Sequence, residues 1–83
     1  MGSFDVQVLD GDGHPMAGAE VACFFTYTFP QPGTNMSEWT DGTGHAQFSL
    51  DDLQKIAAVE IWVDGEQHGS YDVSNGDSFT VEV

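Results

Sequence analysis

From Glu38 to Leu50 the chain reads EWTDGTGHAQFSL, and this stretch decides the fold. Its Asp-Gly and Gly-His dipeptides separate a Trp/Thr run from an alternation in which Ala46, Phe48 and Leu50 are the apolar members. Asp-Gly between two such runs is typical of antiparallel strands joined by a tight turn with positive φ values. The stretch therefore predicts a central β-hairpin, with strands at about 36–40 and 45–50.

The rest of the chain repeats this style of strand and turn. Phe4, Val6 and Val8 alternate with polar residues, which is the pattern of a strand with one buried face. The same reasoning predicts strands at about 4–9, 19–29, 58–63, 68–73 and 78–83. A short helix is expected near residues 50–56, because Asp51 and Asp52 suit the positive end of a helix and Lys55 the negative end.

These elements predict an all-β protein, a seven-stranded antiparallel sandwich of two sheets. An 83-residue chain has room for one core, so residues 1–83 are expected to form a single domain. Residues 1–3 could be an expression remnant. The predicted core consists of Phe4, Val6, Val8, Val21, Phe25, Phe48, Val59, Ile61, Tyr71, Phe79 and Val81.

The pattern of turn and strand residues resembles that of the carboxypeptidase regulatory-like family and its prealbumin-like (transthyretin-type) relatives. The matching residues are Gly13, Pro15, Gly18-Ala19-Glu20-Val21 and Thr40-Asp41-Gly42-Thr43-Gly44. The resemblance implies an Ig-like or prealbumin-like sandwich in which the second and fifth strands are neighbours in one sheet. Because that family is mainly non-catalytic, it implies a binding or structural module.

Charge is the unusual property of the composition. The chain has 14 acidic residues against a single basic one, Lys55, and its formal net charge is −13. Such a surface repels itself, so salt or cations are expected to stabilise the fold. Acidity of this degree indicates a solubilising or salt-adapted surface, cation binding, or mimicry of a polyanion, and it offers no electrostatic support for direct binding to nucleic acid.

An Asp-Gly-x-x-His pattern occurs three times, beginning at residues 10, 41 and 64. If the strands alternate in direction, all three turns fall at one end of the sandwich. Carboxylate and imidazole groups are ligands for divalent metals, although Asp-Gly is also what hairpin turns require. The candidate ligands for a weakly bound divalent cation are Asp10, Asp12, His14, Asp41, His45, Asp64 and His68.

We predict no enzymatic activity. The prealbumin-like hydrolases of purine breakdown use paired His with a basic residue, and this chain has no Arg. Related adhesin domains join an early Lys to a late Asn, but Lys55 lies outside the first strand. Cys23, the only cysteine, cannot form an internal disulfide. The sequence shows no targeting signal. It could still be one module of a secreted or cell-surface protein.

Two aromatic side chains have no place in the predicted core. Alternation turns Phe24 outward from the second strand and Trp62, beside Glu60, outward from the fifth. Because the resemblance implies that these two strands are neighbours in one sheet, Phe24 and Trp62 would form an exposed cross-strand pair. The candidate residues for binding a protein partner or a second copy are Phe24, Trp62, Trp39 and Glu60. Alternatively, residues 30–35 or Trp39 fold over the pair.

Two functions from different classes follow from the sequence. One is a non-catalytic sandwich module that presents an interaction face. The other is a free-standing acidic inhibitor, of the kind phages encode, that blocks a basic site on a nucleic-acid-processing protein.

Overall fold

A computed structural model describes residues 2–28 and 32–83 and contains seven strands in two sheets. The strands are β1 (Gly2–Leu9), β2 (Glu20–Tyr27), β3 (Thr34–Trp39), β4 (His45–Leu50), β5 (Ile56–Val63), β6 (Glu66–Tyr71) and β7 (Ser78–Glu82). One sheet has the order β4-β1-β7 and the other the order β3-β2-β5-β6. The predicted all-β, seven-stranded, two-sheet architecture is confirmed. The predicted central β-hairpin is wrong, because β3 pairs with β2 in one sheet and β4 pairs with β1 in the other, so residues 40–44 link the two sheets instead of joining paired strands.

One strand pairing is parallel, so the expectation of a purely antiparallel sandwich was wrong. β1 pairs antiparallel with β4 but parallel with β7, in a register that places Val6 beside Phe79 and Val8 beside Val81. The cause is the path of the chain. Successive strands alternate in direction, so the first and seventh point the same way, and the link after β6 brings β7 across to the edge of the other sheet.

Several boundaries differ from the predicted ones, mostly by two residues. β6 begins at Glu66 rather than His68, because Asp64 and Gly65 form a two-residue turn with φ values of 50° and 84° and the strand resumes at once. β5 begins at Ile56, directly after the predicted helix, which is a single 3₁₀ turn at Leu53–Lys55. Phe29, predicted to end the second strand, lies outside the described residues.

The core lies between the two sheets and is centred on Phe4. Its ring stacks on Phe48 at 5.2 Å between centroids and meets the edges of Phe25 and Phe79 at 6.0 Å. Each fully buried Phe contributes about 1.5–3 kcal/mol to folding. Nine of the eleven predicted core residues are buried, whereas Tyr71 and Phe79 pack half-buried at its margin.

Residues outside the predicted core list also line the interior. Leu53 from the 3₁₀ turn is buried, and a Cβ on Gly2 would lie 2.6 Å from its Cδ2 atom. Gly2 and Ser3 belong to β1, since they pair with Leu50 and Ser49 of β4. Cys23 is also buried, and burial raises the pKa of its thiol to about 12. The described part of the chain forms no helix of the length and apolarity needed to span a membrane.

Candidate functional site

The outer face of the four-stranded sheet is the surface turned away from the core. Its side chains belong to the residues that alternate with the buried Val21, Cys23 and Phe25 of β2. Cross-strand pairing places Trp39 opposite Glu20, Trp62 opposite Ala22 and Phe24 opposite both Glu60 and Asn35. All four candidate partner-binding residues, Phe24, Trp39, Glu60 and Trp62, therefore share this face.

Phe24 and Trp62 are offset by two residues and are not directly opposed, because the β2–β5 register aligns Ala22 with Trp62 and Phe24 with Glu60. The small Ala22 side chain leaves a notch beside them. The result is a surface groove of about 400 Å³, lined by Ala22, Cys23, Phe24, Asn35, Glu60 and Trp62. A smaller depression of about 240 Å³ continues from it across Ala22 and Asn35 towards Glu20 and Ser37.

Glu60 and Trp62 form the polar wall of the groove. The indole Nε1–H of Trp62 donates a hydrogen bond of 2.8 Å to Glu60 Oε1. Both side chains are half-buried, and this bond orients the carboxylate and the indole ring relative to each other. The groove thus combines aromatic surface with one positioned carboxylate.

Among residues 2–28 and 32–83, Trp39 and Gly33 do not close over the groove, whereas residues 30 and 31 of the predicted cover lie outside the described residues. Gly33 packs against Phe24, since a Cβ on Gly33 would lie 2.6 Å from Phe24 Cζ and 2.8 Å from the carbonyl oxygen of Phe25. Even so, Phe24 stays 43% exposed, and Trp39 is 66% exposed, so Trp39 does not cover the neighbouring rings. Large aromatic side chains from three strands remain accessible on one face.

The first two Asp-Gly-x-x-His motifs form loops of the same conformation, here called the first loop (residues 10–14) and the second loop (residues 41–45). In the first, Asp10 Oδ1 accepts hydrogen bonds from the backbone N–H groups of Asp12 at 2.9 Å and His14 at 3.0 Å. In the second, Asp41 Oδ1 accepts from Thr43 at 2.9 Å and His45 at 3.1 Å. Each aspartate therefore organises its own loop.

These hydrogen bonds favour the ionised carboxylates. Backbone N–H donors, that of His14 above all, lower the pKa of Asp10. The Thr43 hydroxyl, which donates to Asp41 Oδ1 at 2.7 Å, is the main cause of the lowered pKa of Asp41. Much of the acceptor capacity of both groups is thus directed to the loop backbone.

The candidate metal ligands are only partly brought together. Within residues 2–28 and 32–83, the one close group is Asp10, Asp12 and His14, whose ligand atoms lie within 4.8 Å of one another. His45 instead lies on β4 with Nδ1 2.5 Å from Asp5 Oδ2. Asp64 Oδ1 accepts from the backbone N–H of Glu20, and His68 lies within β6. Cation binding by the seven residues stays a prediction.

Thr40, which the sequence pattern singled out only as part of the family-like stretch at residues 40–44, has a structural role. Its side chain is 6% exposed, and its hydroxyl donates to the carbonyl oxygen of Met16 at 2.6 Å and accepts from the N–H of Ala19 at 2.9 Å. It joins the second loop to the segment before β2. The groove residues Ala22 and Asn35 were also missed as site residues; the signal for Ala22 was a small side chain beside Phe24 on the outward-facing side of its strand.

No known protein-family profile matches this chain, and no curated protein sequence matches it significantly.

Proposed function

We propose that the protein is a non-catalytic β-sandwich module that binds a protein partner, or a second copy of itself, through the outer face of its four-stranded sheet. The observation that carries the proposal is that Phe24, Trp39 and Trp62 from three strands share that face, where Phe24 and Trp62 line a groove. Contiguous exposed aromatic surface is a mark of interaction sites, and Trp is enriched among residues that dominate binding energy.

The finer assignment to a prealbumin-like or carboxypeptidase regulatory-like sandwich is part of this proposal. The pairing of β2 with β5 in one sheet supports it, because the resemblance implies that these strands are neighbours. That family is mainly non-catalytic, which fits a module that presents a surface.

The acidic-inhibitor function is the second candidate, and the charge supports it. The chain has fourteen acidic residues and a single lysine. The salt bridges among the described residues join only histidine to aspartate. A partner of that inhibitor would contact distributed carboxylates rather than the aromatic groove, and this difference separates the two candidates.

Affinity capture from the source cells tests the proposal. The bait is compared with a face variant, Phe24→Thr with Trp39→Thr, and with Glu82→Gln, which alters the opposite sheet. We expect specific partners, or self-association measured by sedimentation velocity, to be retained by Glu82→Gln and lost from the face variant. Partners retained equally by all three folded proteins but released by moderate salt would contradict the proposal and favour the acidic inhibitor.

A further inference from the structure

We propose that the groove accepts an arginine side chain from a basic segment of the partner. Its guanidinium would lie against Trp62 and Phe24 and form hydrogen bonds with Glu60. This inference rests on the proposed function and names the chemistry that the face recognises.

The strand register creates a slot of suitable width. Phe24 and Trp62 occupy diagonal positions on β2 and β5, and such positions lie about 7–8 Å apart. Aromatic surfaces contact a planar group at about 3.5–4.0 Å, and the groove beside Ala22 offers the space in which one flat group would reach both aromatic side chains. The ring contacts found among the described residues involve Phe4, Phe25, Phe48, Phe79 and Tyr71, and Phe24 and Trp62 are not joined by one.

The charge of the slot selects a cation. Glu60 Oε1 is engaged by Trp62, which leaves Oε2 to accept from a ligand. Among residues 2–28 and 32–83, Glu60 has no salt bridge to any basic side chain. A neutral or acidic partner that covered the groove would bury this carboxylate without a counter-charge, which is strongly unfavourable. A cationic side chain turns the same carboxylate into an attraction.

Arginine matches the slot better than lysine does. Guanidinium is planar, stacks on aromatic faces and is weakly hydrated, and its several N–H donors can reach a carboxylate and a neighbouring amide together. Asn35, on the opposite wall, offers that amide oxygen. The ammonium group of lysine is compact and strongly hydrated, so it gains less from two aromatic walls.

The test is an NMR titration of the whole protein in 0.15 M salt with three blocked tripeptides: Ac-Gly-Arg-Gly-NH₂, and the same peptide with lysine or with neutral citrulline in place of arginine. The indole N–H signal of Trp62 reports on the groove directly. We expect saturable shifts with the arginine peptide and affinity weaker by about tenfold or more with citrulline, because a charge-assisted hydrogen bond is lost.

Two matched variants remove one negative charge each. Glu60→Gln keeps an oxygen for the Trp62 indole and should weaken arginine binding by about tenfold, whereas Glu82→Gln on β7 should leave it nearly unchanged. Equal weakening by both variants would show general attraction to an acidic protein and overturn the inference. So would equal binding of the citrulline peptide, tighter binding of a lysine peptide, or no saturable shift at all.

These outcomes are independent of the capture experiment. If the face variant loses its partner while the arginine peptide fails to bind, the interaction face stands and the arginine assignment falls. If the arginine peptide binds but the face variant retains the partner as well as the wild type does, the proposed function falls instead.

Discussion

The first and second loops share the pattern Asp-Gly-x-Gly-His and the same conformation, yet they lie in different surroundings. In both, the glycine at the fourth position donates to the carbonyl oxygen of the aspartate at 3.0 Å, and that aspartate donates to the carbonyl oxygen of the histidine. A Cβ on Gly13 would meet nothing within 4 Å, whereas one on Gly44 would lie 2.7 Å from the carbonyl oxygen of Val8. The five-residue pattern therefore specifies the turn, and tertiary contacts decide how much the protein depends on it.

The largest expected effect on stability is that of Gly44→Ala, which is compared with Gly13→Ala. Gly13 and Gly44 have φ values of 84° and 80°, so alanine at either position strains the backbone by about 1–2 kcal/mol. Gly44→Ala also crowds the backbone of Val8 and Met16, which should raise the total loss to about 2–5 kcal/mol. Urea unfolding of both variants measures the difference. Equal losses would show that the surroundings of the second loop matter less than its local conformation.

The next effect concerns the anchoring of the second loop through Thr40. Thr40→Val keeps the volume but leaves the Met16 carbonyl and the Ala19 N–H without their partner, which should cost about 2–4 kcal/mol. Thr43→Val serves as the control, because that hydroxyl contacts only Asp41 among the described residues and is exposed. If Thr43→Val lowered the free energy of unfolding as much as Thr40→Val does, the structural role given to Thr40 would be contradicted.

Acid stability should distinguish the two aspartates. Their folded pKa values lie below the ordinary value of 3.8, so each carboxylate stabilises the fold above about that pH, and this contribution is lost as pH falls through the lowered pKa. Asn keeps an acceptor oxygen but does not titrate. We expect Asp41→Asn to flatten the loss of stability between pH 5 and pH 2 more than Asp10→Asn does, because only Asp41 also accepts the Thr43 hydroxyl.

Urea midpoints across that pH range supply the measurement for the aspartates. Asp51→Asn, on an exposed residue, corrects for the general gain from removing one negative charge. If, after this correction, Asp10→Asn flattened the acid loss of stability as much as Asp41→Asn or more, the ranking of the two aspartates would be overturned.

The smallest expected effect on stability comes from a substitution that makes the first loop resemble the second. Asp12 occupies the position of Thr43, so Asp12→Thr would supply a hydroxyl donor to Asp10 and remove a neighbouring negative charge. We expect a small rise in melting temperature, greatest in low salt, because the wild type gains more from added salt. A wild-type melting temperature unchanged between low and molar salt would remove the premise of charge repulsion.

Much of the fold could be predicted because strand alternation is a local property. Phe4, Val6 and Val8 follow a period of two with one buried face, and this pattern holds whichever strands lie beside them. The neighbour of β1 was harder to predict, since the link between β6 and β7 carries no pattern that says to which sheet the chain returns. For that reason the parallel pairing of Val6 with Phe79 was missed.

The candidate site could be predicted in part for the same physical reason. Alternation alone turned Phe24, Glu60 and Trp62 outward, and the structure places them on one face. Their offset depends on the register between β2 and β5, which short sequence windows do not determine. The notch at Ala22, and with it the groove, therefore emerged only from the assembled sheet.

The position of β1 between β4 and β7 has a consequence for the rate of folding. The three-stranded sheet contains no pair of consecutive strands, and the Ser3 N–H donates to Asn75 Oδ1 across 72 positions of the chain. Loop closure must precede every favourable contact in that sheet, so its assembly is expected to be late and to occur on the millisecond-to-second timescale of proteins with distant strand pairings. The hairpins of the four-stranded sheet can form first, and until β1 docks the inner faces of β2 and β5 remain open to solvent and to other chains.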